Sequence, residues 1–104
     1  MIENLLAVAP PRTQASFYRT AVGAEVDLLL ELPGGREPWA IEIKRTLAPR
    51  VEKGFHSARA DLVPARSWVL YPGADRSLAA GVEAIGFTAA LTELAATALA
   101  QGAS

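Results

Sequence analysis

Gly23-Ala24-Glu25-Val26-Asp27-Leu28-Leu29-Leu30-Glu31-Leu32, then Pro33-Gly34-Gly35-Arg36, then Trp39-Ala40-Ile41-Glu42-Ile43-Lys44: two runs rich in branched aliphatic residues, with a turn signal between them, predict a β-hairpin. Side chains alternate faces along a strand. Glu25, Asp27 and Leu29 therefore share one face of the first strand, and Val26, Leu28 and Leu30 the other. In the second strand Ala40, Glu42 and Lys44 lie opposite Ile41 and Ile43. Closing the hairpin on Gly34-Gly35 as a two-residue turn makes partner positions sum to 69, which sets Asp27 against Glu42 and Glu25 against Lys44. Directly opposed side chains have Cβ atoms about 4.5–5.5 Å apart. The register holds only while no extra residue interrupts either strand.

Outward from the hairpin, residues 2–8 read as the last turns of a helix that Pro10-Pro11 stop. Residues 17–20 form a short strand. Beyond Pro49, the spacing of Val51, Phe55, Ala58 and Leu62 predicts an amphipathic helix, ended by Pro64. Residues 67–71, apolar on both faces, predict a buried strand closed by Pro72-Gly73. The strand, helix and strand make a βαβ unit. Residues 82–87 give a further strand, and Thr88 caps a final helix with the stripe Leu91, Leu94, Ala95, Ala98 and Leu99. The class is α/β (α+β), a mixed central sheet flanked by helices, in the order α-β-β-β-α-β-β-α.

The 104 residues leave room for one domain, 1–104. Ten basic residues against eleven acidic ones give a formal charge of −1, so the total alone does not announce a nucleic-acid binder. No cysteine is present, which excludes disulfides and thiolate sites. The N-terminus carries an acid where a signal peptide has positive charge. Residues 85–100 include Glu93 and fall short of a membrane span. The chain reads as a soluble, cytoplasmic domain with no membrane association. Its hydrophobic fraction, 51%, is high for its length, and residues 88–100 are apolar on much of the helix circumference. They suit packing on a second copy or a partner domain.

The hairpin face carries the chemistry. Two close carboxylates need a positive group between them. Lys44 is one candidate, and a hard divalent cation, Mg²⁺ or Mn²⁺, is another. Asp27 and Glu42 would then be ligands, with the Ile43 carbonyl as a third oxygen. Lys44 would act as base or charge stabiliser in phosphodiester hydrolysis. A Glu/Asp/Lys ladder is equally what the solvent face of an ordinary hairpin shows. Five basic residues follow with one acid among them, Glu52: Lys44, Arg45, Arg50, Lys53 and Arg59. They are suited to steering a phosphate backbone, or form a solvated helix face. His56 has a partly exposed helix position beside Phe55, with a phosphate-contacting role as the sharper reading. Arg19 is expected to pair with Glu25, and Trp39 and Trp68 to pack.

Asp27, a hairpin, Glu42-Ile43-Lys44, a helix and a buried strand resemble the D…ExK signature of the PD-(D/E)XK nuclease-like superfamily. Residues 17–20, 23–27, 41–44, 53–56 (Lys-Gly-Phe-His) and 71–73 (Tyr-Pro-Gly) extend the likeness over nearly the whole chain. They look like the C-terminal domain of a group of bacterial and archaeal AAA+-type ATPases, of uncharacterised function and similar to archaeal Holliday-junction resolvases and restriction endonucleases. The resemblance implies a restriction-endonuclease-like fold and a glutamate on the first helix, at Glu3, completing the site. It also implies a polar residue on the helix after ExK, for which Lys53 and His56 are the candidates. The sequence departs from the family in having no GxxxxGK[ST] loop and in a first helix that reads as truncated.

The leading expectation is therefore a metal-dependent nuclease-like domain acting on DNA. Arg45, Arg50, Lys53, His56 and Arg59 would contact the nucleic acid. The alternatives are an inactive interaction or oligomerisation module of an ATPase, and a nucleic-acid binder without cleavage.

Overall fold

The hairpin lies within a six-stranded mixed sheet in the order β1-β2-β3-β4-β6-β5. The computed structural model describes residues 2–34, 37–47 and 50–102. Its elements are α1 (Ile2–Val8), β1 (Gln14–Arg19), β2 (Glu25–Glu31), β3 (Trp39–Ile43), α2 (Lys53–Leu62), β4 (Arg66–Tyr71), β5 (Ser77–Ala79), β6 (Val82–Gly86) and α3 (Phe87–Gly102). The pairs β1/β2, β2/β3 and β5/β6 are antiparallel. The pairs β3/β4 and β4/β6 are parallel; α2 makes the first crossover, and the connection between β4 and β6 carries β5.

Two layers of apolar side chains cover the sheet. Leu28, Leu30, Trp39, Ile41, Trp68, Leu70 and Ile85 meet Leu5 of α1 and Ala90 and Leu94 of α3. On the other side Ala24, Val26, Leu29, Ala40, Val69 and Val82 meet Phe55 and Ala58 of α2. The central strand β4 is buried from Ser67 to Tyr71, the consequence of being covered on both faces. α2 ends at Val63, whose left-handed backbone (φ 45°) lets its N–H reach the Arg59 carbonyl. Among the described residues no helix is long and apolar enough to cross a membrane.

Three details differ from the sequence reading. β5 is additional; its three exposed residues are too few to show a period, and the turn to β6 uses Ala80 at φ 52° with Gly81 at φ 78°. α3 begins at Phe87, so Thr88 sits inside the helix and its carbonyl accepts from the Thr92 hydroxyl. The third difference lies in β2. The β2/β3 ladder Leu28↔Ile41, Leu29↔Ala40, Leu30↔Trp39 keeps the expected sum of 69. Against β1, however, Ser16 faces Leu29 and Tyr18 faces Val26, so β2 carries one extra residue at Asp27–Leu28. This bulge resets the alternation: Val26 shares a layer with Leu29, and Leu28 with Leu30. The hairpin turn includes Gly35 and Arg36, and the start of the predicted second helix includes Pro49; these lie outside the described residues.

α2 is pressed closely onto the sheet at Gly54, where a Cβ would collide with the Gly23 carbonyl oxygen. Backbone cannot yield as a flexible side chain does. Gly54→Ala is therefore expected to destabilise the domain by about 1–3 kcal/mol, measured as a lower urea midpoint at unchanged slope.

A charged network closes the end of the α3 side. Arg66 reaches Glu83 (2.9 Å) and Glu93 (3.0 Å), and Arg76 pairs with the same two carboxylates. Burial pushes the Glu83 carboxyl up, but hydrogen bonds from Arg76, Trp68 and Arg66 outweigh it and leave it below its ordinary value. Glu93 is lowered first by its hydrogen bond from Arg76. Both folded values lie below the unfolded ones, so on acidification the unfolded chain takes up protons first. The stability from these pairs is full above about pH 5 and is lost as pH falls through the lowered folded values. An Arg76→Met variant is expected to show a shallower loss of melting temperature between about pH 5 and pH 3; an unchanged acid profile contradicts this assignment.

Candidate functional site

The bulge decides where the carboxylates go. The β2/β3 ladder stops at Leu28↔Ile41, so the expected direct pairings of Asp27 with Glu42 and of Glu25 with Lys44 do not form. Glu25 instead faces Arg19 and receives its guanidinium at 2.9 Å, the expected pairing. In a continued ladder the Ile43 N–H would meet the Val26 carbonyl. With the strands parting, the Asp27 carboxylate takes that hydrogen bond through Oδ2 at 3.0 Å. One oxygen of Asp27 thus holds the split open as a substitute for backbone. Since the N–H and C=O of one strand residue point the same way, the Ile43 carbonyl faces the same gap.

Beyond the split, β3 sends its side chains to both faces. Ile43 packs on the α1/α3 layer. Glu42 and Lys44 follow Ala40 toward α2. On the α1 side a groove of about 460 Å³ is lined by Ile2, Glu3, Asp27, Ile43 and Arg45. The structure therefore brings Glu3 of α1 and Asp27 of β2 to one groove. A second groove, about 300 Å³, is lined by Lys44, Arg45, Thr46, Arg50 and Glu52. Arg45 borders both, so an acidic groove and a basic one adjoin at the end of β3.

Glu42 is the unusual group. Its side chain is 12% exposed. Its Oε2 is buried with no hydrogen-bond partner, the sole such side-chain atom among the described residues. An unsatisfied buried oxygen carries a desolvation cost that proteins otherwise avoid. Burial pushes the Glu42 carboxyl above its ordinary value; the Lys44 charge opposes this, and the charge of Asp27 adds to it. Lys44 Nζ stands 3.7 Å from Glu42 Oε1 but 2.9 Å from Glu52 Oε1. Burial works against the Lys44 ammonium, but the hydrogen bond to Glu52 and the neighbouring carboxylates outweigh it and raise its pKa. Its backbone N–H is fixed by the Leu70 carbonyl at 2.8 Å, which ties the site to the buried central strand.

The basic candidates separate into two groups. Arg45 and Arg50 line the groove beside Lys44. Lys53 and His56 are exposed on α2. Arg59 lies elsewhere: its guanidinium donates to Ser67 Oγ and to the Ala80 and Gly81 carbonyls, clamping the β5–β6 turn onto α2 and β4. Trp39 and Trp68 pack edge to face at 5.2 Å, buried as expected. Glu52 escaped the sequence reading as a site residue. The signal was its place as the single acid in a basic run.

Asp27 lines the α1-side groove and Glu42 follows Ala40 toward α2, with the Ile43 carbonyl at the split between them; among the described residues no three His, Cys, Asp or Glu side chains cluster as a metal cage. Mg²⁺ needs only one or two protein carboxylates. Oε2 of Glu42, unpartnered, and the oxygen of Asp27 that Ile43 does not engage are the carboxylate oxygens that would be left for such an ion.

Fold and site together define a mixed α/β domain with an ionisable cluster at the end of a β-hairpin. Residues 1–89 match the family described as Domain of unknown function (DUF4143), and the chain belongs to that family. It is 40% identical over 76 residues to the uncharacterized protein Rv2008c of Mycobacterium tuberculosis (strain H37Rv) and to the uncharacterized protein Mb2031c of Mycobacterium bovis. The alignment covers 73% of this chain and 17% of each of those proteins, so the chain corresponds to a small part of their length. No solved structure matches.

Proposed function

We propose that this domain is a divalent-metal-dependent nuclease-like module with a restriction-endonuclease-like fold of the PD-(D/E)XK kind, hydrolysing nucleic-acid phosphodiesters. The observation that carries the reading is the buried, unpartnered Oε2 of Glu42 beside Lys44 and the Asp27 strand split. An antiparallel hairpin leading through α2 into a parallel central strand supports the fold assignment. Asp27, Glu42 and the Ile43 carbonyl would hold Mg²⁺ or Mn²⁺, with Glu3 bordering the same groove as Asp27. When bound, such an ion supplies Lewis-acid polarisation of a phosphate. Lys44, kept charged by its carboxylate neighbours, stabilises negative charge developing on the phosphorus oxygens rather than serving as a base. Arg45 and Arg50, with Lys53 and His56 beyond them, meet the flanking backbone phosphates.

A second reading has its own observation. Phe17 is 70% exposed on edge strand β1, and Leu99 of α3 is 76% exposed, which suits an inactive interaction or oligomerisation module attached to an AAA+-type ATPase. That the relatives are much longer than this chain supports such an attachment. Calorimetric titration with Mg²⁺ and Mn²⁺ separates the two readings. Heat of binding that Asp27→Asn removes supports the nuclease; no binding by the wild-type protein supports the module. Cleavage of single-stranded, duplex and branched DNA in Mg²⁺ or Mn²⁺, with Lys44→Ala alongside, tests the activity itself.

A further inference from the structure

Glu52 stands just before α2, outside the strands that carry the site, yet it holds one of the site's principal side chains, Lys44, and acts electrostatically on the other, Glu42. Its carboxylate holds the Lys44 ammonium at 2.9 Å, while Glu42 Oε1 lies at 3.7 Å from the same nitrogen. Its backbone amide is among the groups that favour the charged Glu42 carboxylate, against the larger effect of burial. The Glu52 side chain caps no helix amide, although it occupies the N-cap position of α2, so its direction is given by Lys44 rather than by the helix. Glu52 itself is 61% exposed and does not line the Asp27 groove.

We propose that Glu52 is a positioning residue that draws the Lys44 ammonium away from Glu42 and so keeps Glu42 open to a divalent cation. This rests on the proposed function. A lysine freed from Glu52 has Glu42, already 3.7 Å away, to turn to, and an ammonium paired there competes with a cation for the same oxygens. The buried Oε2 without a partner is what a carboxylate looks like when its natural counter-charge is held elsewhere. Glu52 also lines the groove with Arg45 and Arg50, where it limits the net positive charge around Lys44.

The test is a double-mutant cycle read by Mg²⁺ affinity in calorimetry. Glu52→Gln keeps size and polarity at an exposed site, so the fold is expected to stand, checked by thermal melting. In the wild-type background Glu52→Gln is expected to weaken Mg²⁺ binding about two- to fivefold, the scale of an exposed ion pair. In a Lys44→Met background the same substitution is expected to change the affinity little, because the competing ammonium is gone. Equal weakening in both backgrounds means that Glu52 acts only through its own charge, and overturns the proposal. So does unchanged affinity in the single variant. If the wild-type protein binds no Mg²⁺, the functional reading itself fails and the role of Glu52 goes with it.

Discussion

Lys44→Ala is expected to lower metal-dependent cleavage by at least about 10²–10³-fold, the usual cost of deleting one preorganised charge at a developing oxyanion. Lys44 directly follows β3. The strand's last residues are fixed by the parallel ladder to β4 and by the Lys44 N–H to the Leu70 carbonyl, so the root of the side chain is rigid. The side chain is 21% exposed and its ammonium is flanked by Glu42 and Glu52, which keep it charged through neutral pH. A charged lysine in that position acts on the transition state and contributes little to ground-state binding. The loss should therefore fall on kcat, with KM nearly unchanged. Asp27→Asn is the matched control for the other strand. It keeps an oxygen to receive the Ile43 N–H, so the strand split is preserved, but removes the charge that a cation needs. Asp27→Ala is less clean, since it leaves a backbone donor without its partner at a cost of about 1–3 kcal/mol. Cleavage that persists in both Lys44→Ala and Asp27→Asn rules out the assignment.

The elements were legible because their patterns are strong. The alternation in β3, the two-faced apolar run of β4 and the four-three-four spacing in α2 each correspond to an element within a few residues. The register of the hairpin was legible too, because a short glycine turn leaves few alternatives. What the sequence could not show is the bulge. Glu25-Val26-Asp27-Leu28 alternates as well as any strand, and the extra residue becomes visible only against β1, whose pairing at Ser16↔Leu29 and Tyr18↔Val26 is a long-range matter. The consequence for function is specific. A clean ladder would have aligned Asp27 and Glu42 as a surface pair; the bulge instead parts the strands, engages one Asp27 oxygen with Ile43 and leaves the Glu42 side chain largely buried. Glu52 was illegible for a related reason, because it reaches Lys44 from eight positions along the chain, a separation that local patterns do not bridge.

The basic run shows the same division between what composition suggests and what packing assigns. Lys44, Arg45, Arg50, Lys53 and Arg59 look alike as a charge count. In the fold Lys44 is held by carboxylates, Arg59 is consumed by Ser67 and two carbonyls, and Arg45 and Arg50 are left lining a groove. Under the proposed function a phosphate-steering role would therefore fall first to Arg45 and Arg50. The near-neutral total follows, since acids and bases are spent locally on one another.

Trp68→Ala is expected to cost about 3–5 kcal/mol, the range for deleting a buried aromatic side chain. Trp68 is 1% exposed in the centre of the sheet and meets Trp39 edge to face. The Arg66 guanidinium stacks on both rings, at 5.2 Å from the centroid of Trp39 and 5.0 Å from that of Trp68. The indole N–H donates to Glu83 Oε1 at 3.1 Å, which joins the core to the ion-pair network of Arg66, Arg76 and Glu93. One substitution thus opens a cavity, removes the platform under Arg66 and takes a donor from a partly buried carboxylate. Small domains have only about 5–15 kcal/mol in total, so a large fraction of the stability is lost. At about 4–8 °C per kcal/mol for a chain approaching this size, the melting temperature should fall by more than about 12 °C. Trp68→Phe separates the contributions: it keeps most of the apolar contact and loses the indole hydrogen bond and part of the ring area, for a smaller loss of about 1–3 kcal/mol. If Trp68→Ala costs no more than Trp68→Phe, the core is not organised around this side chain. Because β4 pairs with β3 along the ladder that ends at Leu70 and Ile43, loosening Trp68 should also weaken Mg²⁺ binding at the strand split, which would place the site and the core in one cooperative unit.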